Sequence, residues 1–224
     1  MRRGRIEVHI FYSLIFMIGV ISCIGISNAG AQEWSDPVRI SGFAWGYYPQ
    51  ILATGDTAHV AYSNDIGWPR ICYVRSSDAG EIWSSPRVLS DTTEDAGCII
   101  PQIIEFESHL MVLWKANLPG GWHDVNIGFS VSTDNGITWS DPGYILDPGW
   151  ETMYNITASN TGMVVNITIT LGIAGDNIYI YNVRSTDFGQ SWTEPVIIFH
   201  PYEITGNSDQ ESFGNYVHFI WSGS

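Results

Sequence analysis

An eight-residue pattern, S-x-D-x-G-x-x-W, occurs three times in this chain: "SSDAGEIW" from Ser76 to Trp83, "STDNGITW" from Ser132 to Trp139 and "STDFGQSW" from Ser185 to Trp192. The aspartates Asp78, Asp134 and Asp187 are 56 and 53 residues apart. A period of that length is one supersecondary unit per repeat, stacked against its neighbours, rather than one undivided core. A second signature, Trp-(Ser/Thr)-x-Pro, follows each copy and also occurs alone at Trp34. Apolar runs hold the same phase: "HVAYS" from His59, "LMVLW" from Leu110, "MVVNITIT" from Met163 and "VHFIW" from Val217, with "YPQIL" and "IPQII" before the first two. These segments are short, rich in Val, Ile, Tyr and Trp, and bounded by Gly, Asn, Asp and Pro, which reads as strands and turns. No window shows the helical period.

Four strands in a repeat of about 50 residues is the arithmetic of a β-propeller blade. The expected fold is all-β. In the first blade, strands A to D fall near 47–53, 57–63, 70–76 and 83–90; the second blade covers about 98–146 and the third about 151–199. A fourth begins near 208 and reaches its second strand, and a loose D strand stands at 34–41. Closed rings take about four to eight blades, so the expectation is an incomplete propeller, about 3.5 blades of six, truncated at its C-terminus. Closure by a second chain is the alternative.

The repeated octapeptide suits a hairpin turn between strands C and D. The Asp carboxylate and Ser hydroxyl accept nearby backbone N–H groups, the Gly permits positive φ, and the Trp supplies a large apolar face whose N–H needs an acceptor. On this reading Ser76, Asp78, Gly80 and Trp83, with Ser132, Asp134, Gly136 and Trp139 and with Ser185, Asp187, Gly189 and Trp192, are structural. A catalytic site normally needs one constellation, and here there are three copies.

The first 31 residues read as a leader. Three arginines within Met1–Arg5 precede an uncharged run from His9 to Ile26, and Ala29 and Ala31 form an A-x-A site, the pattern of a secretory signal peptide. Residues 32–224 would then be the propeller. "VISC" also has the form of a lipoprotein box that would lipidate Cys23, and the run is borderline for an uncleaved membrane anchor. Each route implies a secreted, periplasmic or cell-surface protein. Removing Arg2, Arg3, Arg5 and Glu7 takes three positive charges and one negative from a formal net charge of −14, leaving −16. Such a surface repels nucleic acid and anionic membranes. Beyond Cys23 only Cys72 and Cys98 remain; export permits a disulfide, and two small buried thiols fit equally.

The three octapeptides, inside a four-strand repeat that covers 34–224, resemble the Asp-box, or BNR repeat, of the sialidase superfamily. The resemblance implies a secreted propeller acting on or binding extracellular glycans or glycoproteins, without a cofactor. It also implies an arginine triad for a substrate carboxylate, a Tyr/Glu nucleophile pair and an Asp acid/base. The first arginine belongs two residues before the proline of the first A strand. Aligned on Pro49 of "GYYPQIL", that position is Tyr47. The remaining cations, Arg39, Arg70, Arg75, Arg87, Lys115 and Arg184, do not assemble a triad, and Arg75 and Arg184 share one phase three residues before the box Asp, as repeat-surface residues. Asp65, in the first B–C loop "SNDIGWPR", falls in the region of the acid/base loop, where an exposed turn Asp is also at home.

Antiparallel order sends the B–C and D–A loops to one face and the octapeptide turns to the other. Trp45, Tyr48, Trp68, Arg70, Trp122, Asp124 and Trp150 fall on the loop face as candidates for sugar contact. The same rings also suit packing between loops. "WHD" at Trp122–Asp124 has too few ligands for a metal. "NIT" at Asn155 and Asn166 are glycosylation sequons that fall in or beside strands. Two classes remain, a sialidase-type glycoside hydrolase and a non-catalytic glycan- or protein-binding propeller.

Overall fold

The structure, a computed structural model, describes residues 36–42, 45–65, 67–90, 97–107, 109–117, 125–145, 152–173, 177–199, 208–214 and 216–221. These form three four-stranded antiparallel sheets and one two-stranded sheet. The first sheet holds β1 (Gly46–Thr54), β2 (Thr57–Asn64), β3 (Arg70–Ser76) and β4 (Arg87–Val88); the second holds β5 (Cys98–Phe106), β6 (His109–Asn117), β7 (Val125–Ser132) and β8 (Gly143–Tyr144). The third holds β9 (Thr152–Thr161), β10 (Val164–Ile173), β11 (Asn177–Ser185) and β12 (Val196–Phe199), and the last pairs β13 (Ser208–Phe213) with β14 (Tyr216–Trp221). Strand order within each sheet follows the chain. β1 packs on β5, β5 on β9 and β9 on β13, so the first strand of every sheet lines the centre. The chain is a β-propeller, incomplete over the described residues.

The D strands are shorter than expected, and the signature proline is the reason. β4, β8 and β12 begin directly after Pro86, Pro142 and Pro195. Proline has no N–H to give the ladder, so pairing starts one residue later. Residues 36–41, expected as part of a loose strand, carry no strand. They have no partner strand among the described residues, although Ile40, like Trp83, packs against the cluster of Val60, Tyr62, Cys72 and Val74 in the first blade.

The three turns are built alike. Ser76 Oγ donates to Asp78 Oδ1 (2.7 Å) and accepts from the Gly80 N–H (2.9 Å), while Asp78 Oδ1 accepts from the Ile82 N–H (2.9 Å). Ser132, Asp134 and Gly136 repeat this to Thr138 N–H, and Ser185, Asp187 and Gly189 repeat it to Ser191 N–H. Thr138 and Ser191 add hydroxyl donors to the second carboxylate oxygen. These donors favour the charged carboxylate and hold all three acids below the usual range, Asp134 at about 2.

Each turn has two consecutive left-handed residues, Ala79–Gly80, Asn135–Gly136 and Phe188–Gly189. With the bond from the Glu81 N–H to the Asp78 carbonyl (3.3 Å), this is a type I′ turn, whose twist suits a two-residue hairpin. The expectation covered only the glycine. The signature Ser/Thr also has a role. Ser84 gives its N–H to the Arg75 carbonyl, and its hydroxyl accepts the Arg75 N–H; Ser140 and Thr193 clasp Val131 and Arg184 in the same way.

The turns also lock one blade to the one before. Gly136 lies against Tyr73 and His59 of the first blade; a Cβ there would sit 1.9 Å from Tyr73 Oη. Gly189 lies against Met111 and Phe129 of the second. Trp139 meets Tyr73 edge-on (4.7 Å between ring centroids) and Trp192 meets Phe129 edge-on (5.8 Å). Only Trp83, with no described blade before it, turns its N–H to its own turn, donating to the Gly80 carbonyl (2.9 Å). The N–H groups of Trp139 and Trp192 are buried without a partner among the described residues, against the expected acceptor.

The seams between blades differ in chemistry. β6 is buried on both faces: Leu110, Val112, Trp114 and Ala116 face the first blade, with Ala61, Ile71 and Tyr73, while Met111 and Leu113 face the third, with Ile156, Ile167 and Ile169. The seam to β13 is polar. Ser159 and Ser212 hydroxyls meet at 2.6 Å, Gln210 Nε2 donates to the Thr157 (3.1 Å) and Asn166 (2.7 Å) carbonyls, and Thr168 donates to Gln210 Oε1. A buried hydrogen bond nets about 1 kcal/mol, against about 1.5–3 kcal/mol for a buried large aliphatic side chain. The apolar seams therefore carry the stability. Asn155 and Asn166, the two sequon residues, give their amides to Ser208 and Ser212 in this polar seam, and Asn166 is buried. Cys72 and Cys98 are buried thiols in different clusters and form no disulfide; burial pushes the Cys72 thiol up to about 11.

The first seam can be tested against the turn of the first blade, which has no described blade before it. Gly80→Ala should cost about 1–2 kcal/mol, the left-handed penalty alone, because its nearest neighbour, Trp83, is 3.8 Å from an added Cβ. Gly136→Ala should cost about 1–3 kcal/mol more, through overpacking against Tyr73; urea unfolding midpoints measure both. His59, buried at Tyr73 (Nδ1 to Oη 2.6 Å), has its pKa lowered by burial first and then by Arg75, with Glu105 and Asn135 opposing. The unfolded chain therefore binds the proton more readily, and stability falls as pH drops below about 6.5. His59→Met, matching Met111 at the same register, should reduce that pH slope in urea unfolding between about pH 7.5 and 5.5.

Candidate functional site

The face opposite the octapeptide turns is formed where β1, β5 and β9 begin and where β2 and β6 end. Each of the three first strands is bulged there. Pairing skips a step between Tyr47 and Gln50, between Ile99 and Gln102, and at Tyr154. In the first two, the residue before proline takes a left-handed conformation, Tyr48 at φ 51° and Ile100 at φ 55°. Pre-proline residues normally stay extended, and for β-branched Ile100 positive φ is a clear outlier. Such strain costs about 1–3 kcal/mol and collects at functional sites. Bulges re-aim the side chains beside them.

In the first blade the bulge brings two polar groups together. Tyr47 pairs with Ser63 across the β1–β2 ladder, and its hydroxyl donates to Asp65 Oδ2 at 3.2 Å. The Asn64 side chain beside it accepts the Arg70 N–H (3.2 Å), closing the base of the B–C loop. Both members of the pair are exposed. The Asp65 charge is the largest influence on Tyr47 and raises the phenol's pKa, so the phenol rests neutral. Chemically it offers a hydrogen-bond donor and an acceptor or proton carrier on one open surface. It does not offer a phenolate nucleophile while Asp65 is charged.

Trp45, Tyr48 and Trp68 flank this pair in sequence and are 70%, 55% and 52% exposed. Those fractions leave ring faces to solvent rather than enclosed by the described loops. Arg70 is half-buried at the start of β3. Trp122, Asp124 and Trp150 lie outside the described residues. Of the two arginines expected as surface residues, Arg184 is exposed, whereas Arg75 is half-buried and acts on His59. The Tyr47–Asp65 contact was not foreseen as a pair. Its signal was the shared "x-x-P-Q" phase of "YYPQ" and "IIPQ", which marks a bulge at the head of strand A.

No family model matches this sequence, and no curated protein does. Solved structures do. A Hadza microbial sialidase, Hz136, superimposes with a TM-score of 0.59 at 17% identity, covering 74% of this chain and 39% of that one. The GH93 α-L-arabinofuranosidase of Fusarium graminearum, solved with arabinobiose, gives 0.56 at 16% identity over 74% and 51%. The Penicillium chrysogenum α-L-arabinanase, also with arabinobiose, gives 0.55 at 14% over 74% and 52%. The fold is a sialidase-like β-propeller. The chain spans between about two fifths and one half of the length of these glycosidases.

Asp65→Asn removes the charge that opposes the phenolate. The Tyr47 pKa should therefore fall toward the ordinary tyrosine value of about 10, as read by NMR titration of ring-labelled tyrosine against Tyr47→Phe for assignment.

Proposed function

We propose that this chain is part of an exported glycoside-hydrolase-type propeller that engages extracellular saccharide through the bulged loop face. The observation that carries the reading is the Tyr47–Asp65 pair, 3.2 Å apart at the head of the innermost strand, with exposed rings beside it in sequence. Aromatic faces stack on sugar rings, and a neutral phenol beside a carboxylate matches the donor–acceptor character of sugar hydroxyls. A phenol and a carboxylate where the superfamily resemblance implies an arginine do not attract a carboxylate at that point, so the unit bound there is an uncharged sugar rather than sialic acid. The fold shared with a sialidase, an α-L-arabinofuranosidase and an α-L-arabinanase supports a glycoside substrate class. Asp65 is the candidate acid/base and Tyr47 its positioning partner. The basic, apolar and small-residue leader supports export.

A non-catalytic module that binds glycan or glycoprotein is the second reading. It is favoured by the raised pKa of Tyr47, which suits a hydrogen-bonding role better than a nucleophilic one. A panel of fluorogenic glycosides that includes arabinofuranosides and sialosides separates the two. Turnover of an uncharged glycoside, reduced about 10²–10⁴-fold in Asp65→Asn, is the expected result for an enzyme. Binding on a glycan array without turnover, lost in Trp68→Ala, selects the module. Sialoside cleavage untouched by Asp65→Asn, or no saccharide binding at all, overturns the assignment.

A further inference from the structure

The chain contains one lysine, Lys115, against 23 Asp and Glu. It is third from the end of β6, opposite Ile99 of β5 and Ile127 of β7, and therefore near the loop face. By alternation it points the same way as Met111 and Leu113, into the seam between the second and third blades. Its ammonium reaches across that seam to the Met153 carbonyl at 3.0 Å. The surroundings are apolar: Ile127, Met153 and Leu113 are buried. We propose that Lys115 forms an anion-binding subsite at the mouth of this seam, where it takes the carboxylate of an acidic sugar unit, a uronic acid, in the saccharide held on the loop face.

Three observations support it. First, the ammonium has one carbonyl acceptor and, among the described residues, no carboxylate partner. Lysine carries three donors, and the acceptor this half-buried cation finds among the described residues is neutral. Burial lowers its pKa, as expected of a cation lacking an anion. Second, the blade does not require a lysine there. Counted from the first pair of each β1–β2-type hairpin, the equivalent positions are Ser63 and Thr170, and both blades close the same strand with a small hydroxyl. Third, in so acidic a chain an ammonium at a low-dielectric wall focuses positive charge at one fixed place, which favours an anionic group there. The inference rests on the saccharide reading above. It adds a charged unit beside the uncharged one at Tyr47–Asp65.

A single lysine makes the test direct. The intact protein is acylated with a limiting amine-selective reagent, and modification of the Lys115 peptide is followed by mass spectrometry, with the N-terminal amine resolved on its own peptide. Digalacturonic acid should slow Lys115 acylation at least tenfold at a concentration where its uncharged counterpart, a galactose disaccharide, does not. Lys115→Thr copies the third blade and should fold with a urea midpoint at least as high as that of the parent chain, since it relieves the burial of an ammonium. It should lose at least tenfold in affinity for digalacturonic acid while keeping its affinity for uncharged saccharides. Protection by both disaccharides alike, by neither, or digalacturonic acid binding unchanged in Lys115→Thr overturns the subsite. The saccharide reading fails separately, on the glycan array and Trp68→Ala, so the two outcomes are distinguishable.

Discussion

The interaction on which the rest depends is the bond from the Asp carboxylate to the N–H one residue before the tryptophan. At Asp78, Asp134 and Asp187 it spans 2.8–2.9 Å, and with the Ser hydroxyl it ties down a turn in which two successive residues are left-handed. That geometry is unfavourable for Ala79 and Phe188 taken alone. It persists because the carboxylate, the hydroxyl and the following Ser/Thr clasp satisfy the donors that the turn leaves over. Once the turn is set, the glycine can approach the neighbouring blade closely and the tryptophan can lie on Tyr73 or Phe129. A local hydrogen-bond network thereby becomes the register device between sheets that are far apart in sequence.

This division of labour explains why the two faces of the molecule differ. On the turn face the serines and aspartates of the three octapeptides are committed to their own turns, and the donors of those turns favour the ionised carboxylates. On the opposite face the A strands are bulged, with strained residues before proline and aromatic rings open to solvent. Strain there has no structural gain in view, since the blade would pair more regularly without it. The same fold therefore spends its acidic residues on architecture at one end and keeps Asp65 exposed at the other.

Much of this was legible in the sequence, for one reason: repetition. Three copies of the octapeptide set the blade length, the C–D turn and the positions of the A and B strands to within a few residues. What repetition could not convey is whatever distinguishes one copy from another. The short D strands follow from Pro86, Pro142 and Pro195, which were visible but read as part of a strand signature. The left-handed Ala79 and Phe188 were hidden because neither residue type favours that conformation. The polar seam at Gln210 depends on which face of β13 meets β9, a long-range choice with no local mark. The Tyr47–Asp65 contact needs a bulge whose effect on side-chain direction is set by tertiary pairing.

Comparing equivalent positions across blades turns that difficulty into a tool. Where the copies agree, the residue serves the fold: Ser76, Ser132 and Ser185 are all buried and make the same bonds. Where they diverge in polarity with the partner to match, as His59 on Tyr73 and Met111 in its apolar cluster do, each copy is fitted to its own seam. Where they diverge in charge, packing does not account for the choice. Ser63, Lys115 and Thr170 occupy one place in three blades, and the hydroxyls show what that place needs for folding. Desolvating an ammonium is costlier than desolvating a hydroxyl, so the lysine at that position lowers the stability of its seam relative to its siblings. A residue that works against the fold, at the end of a strand that opens on the strained face, is the signature expected of the binding role proposed for it.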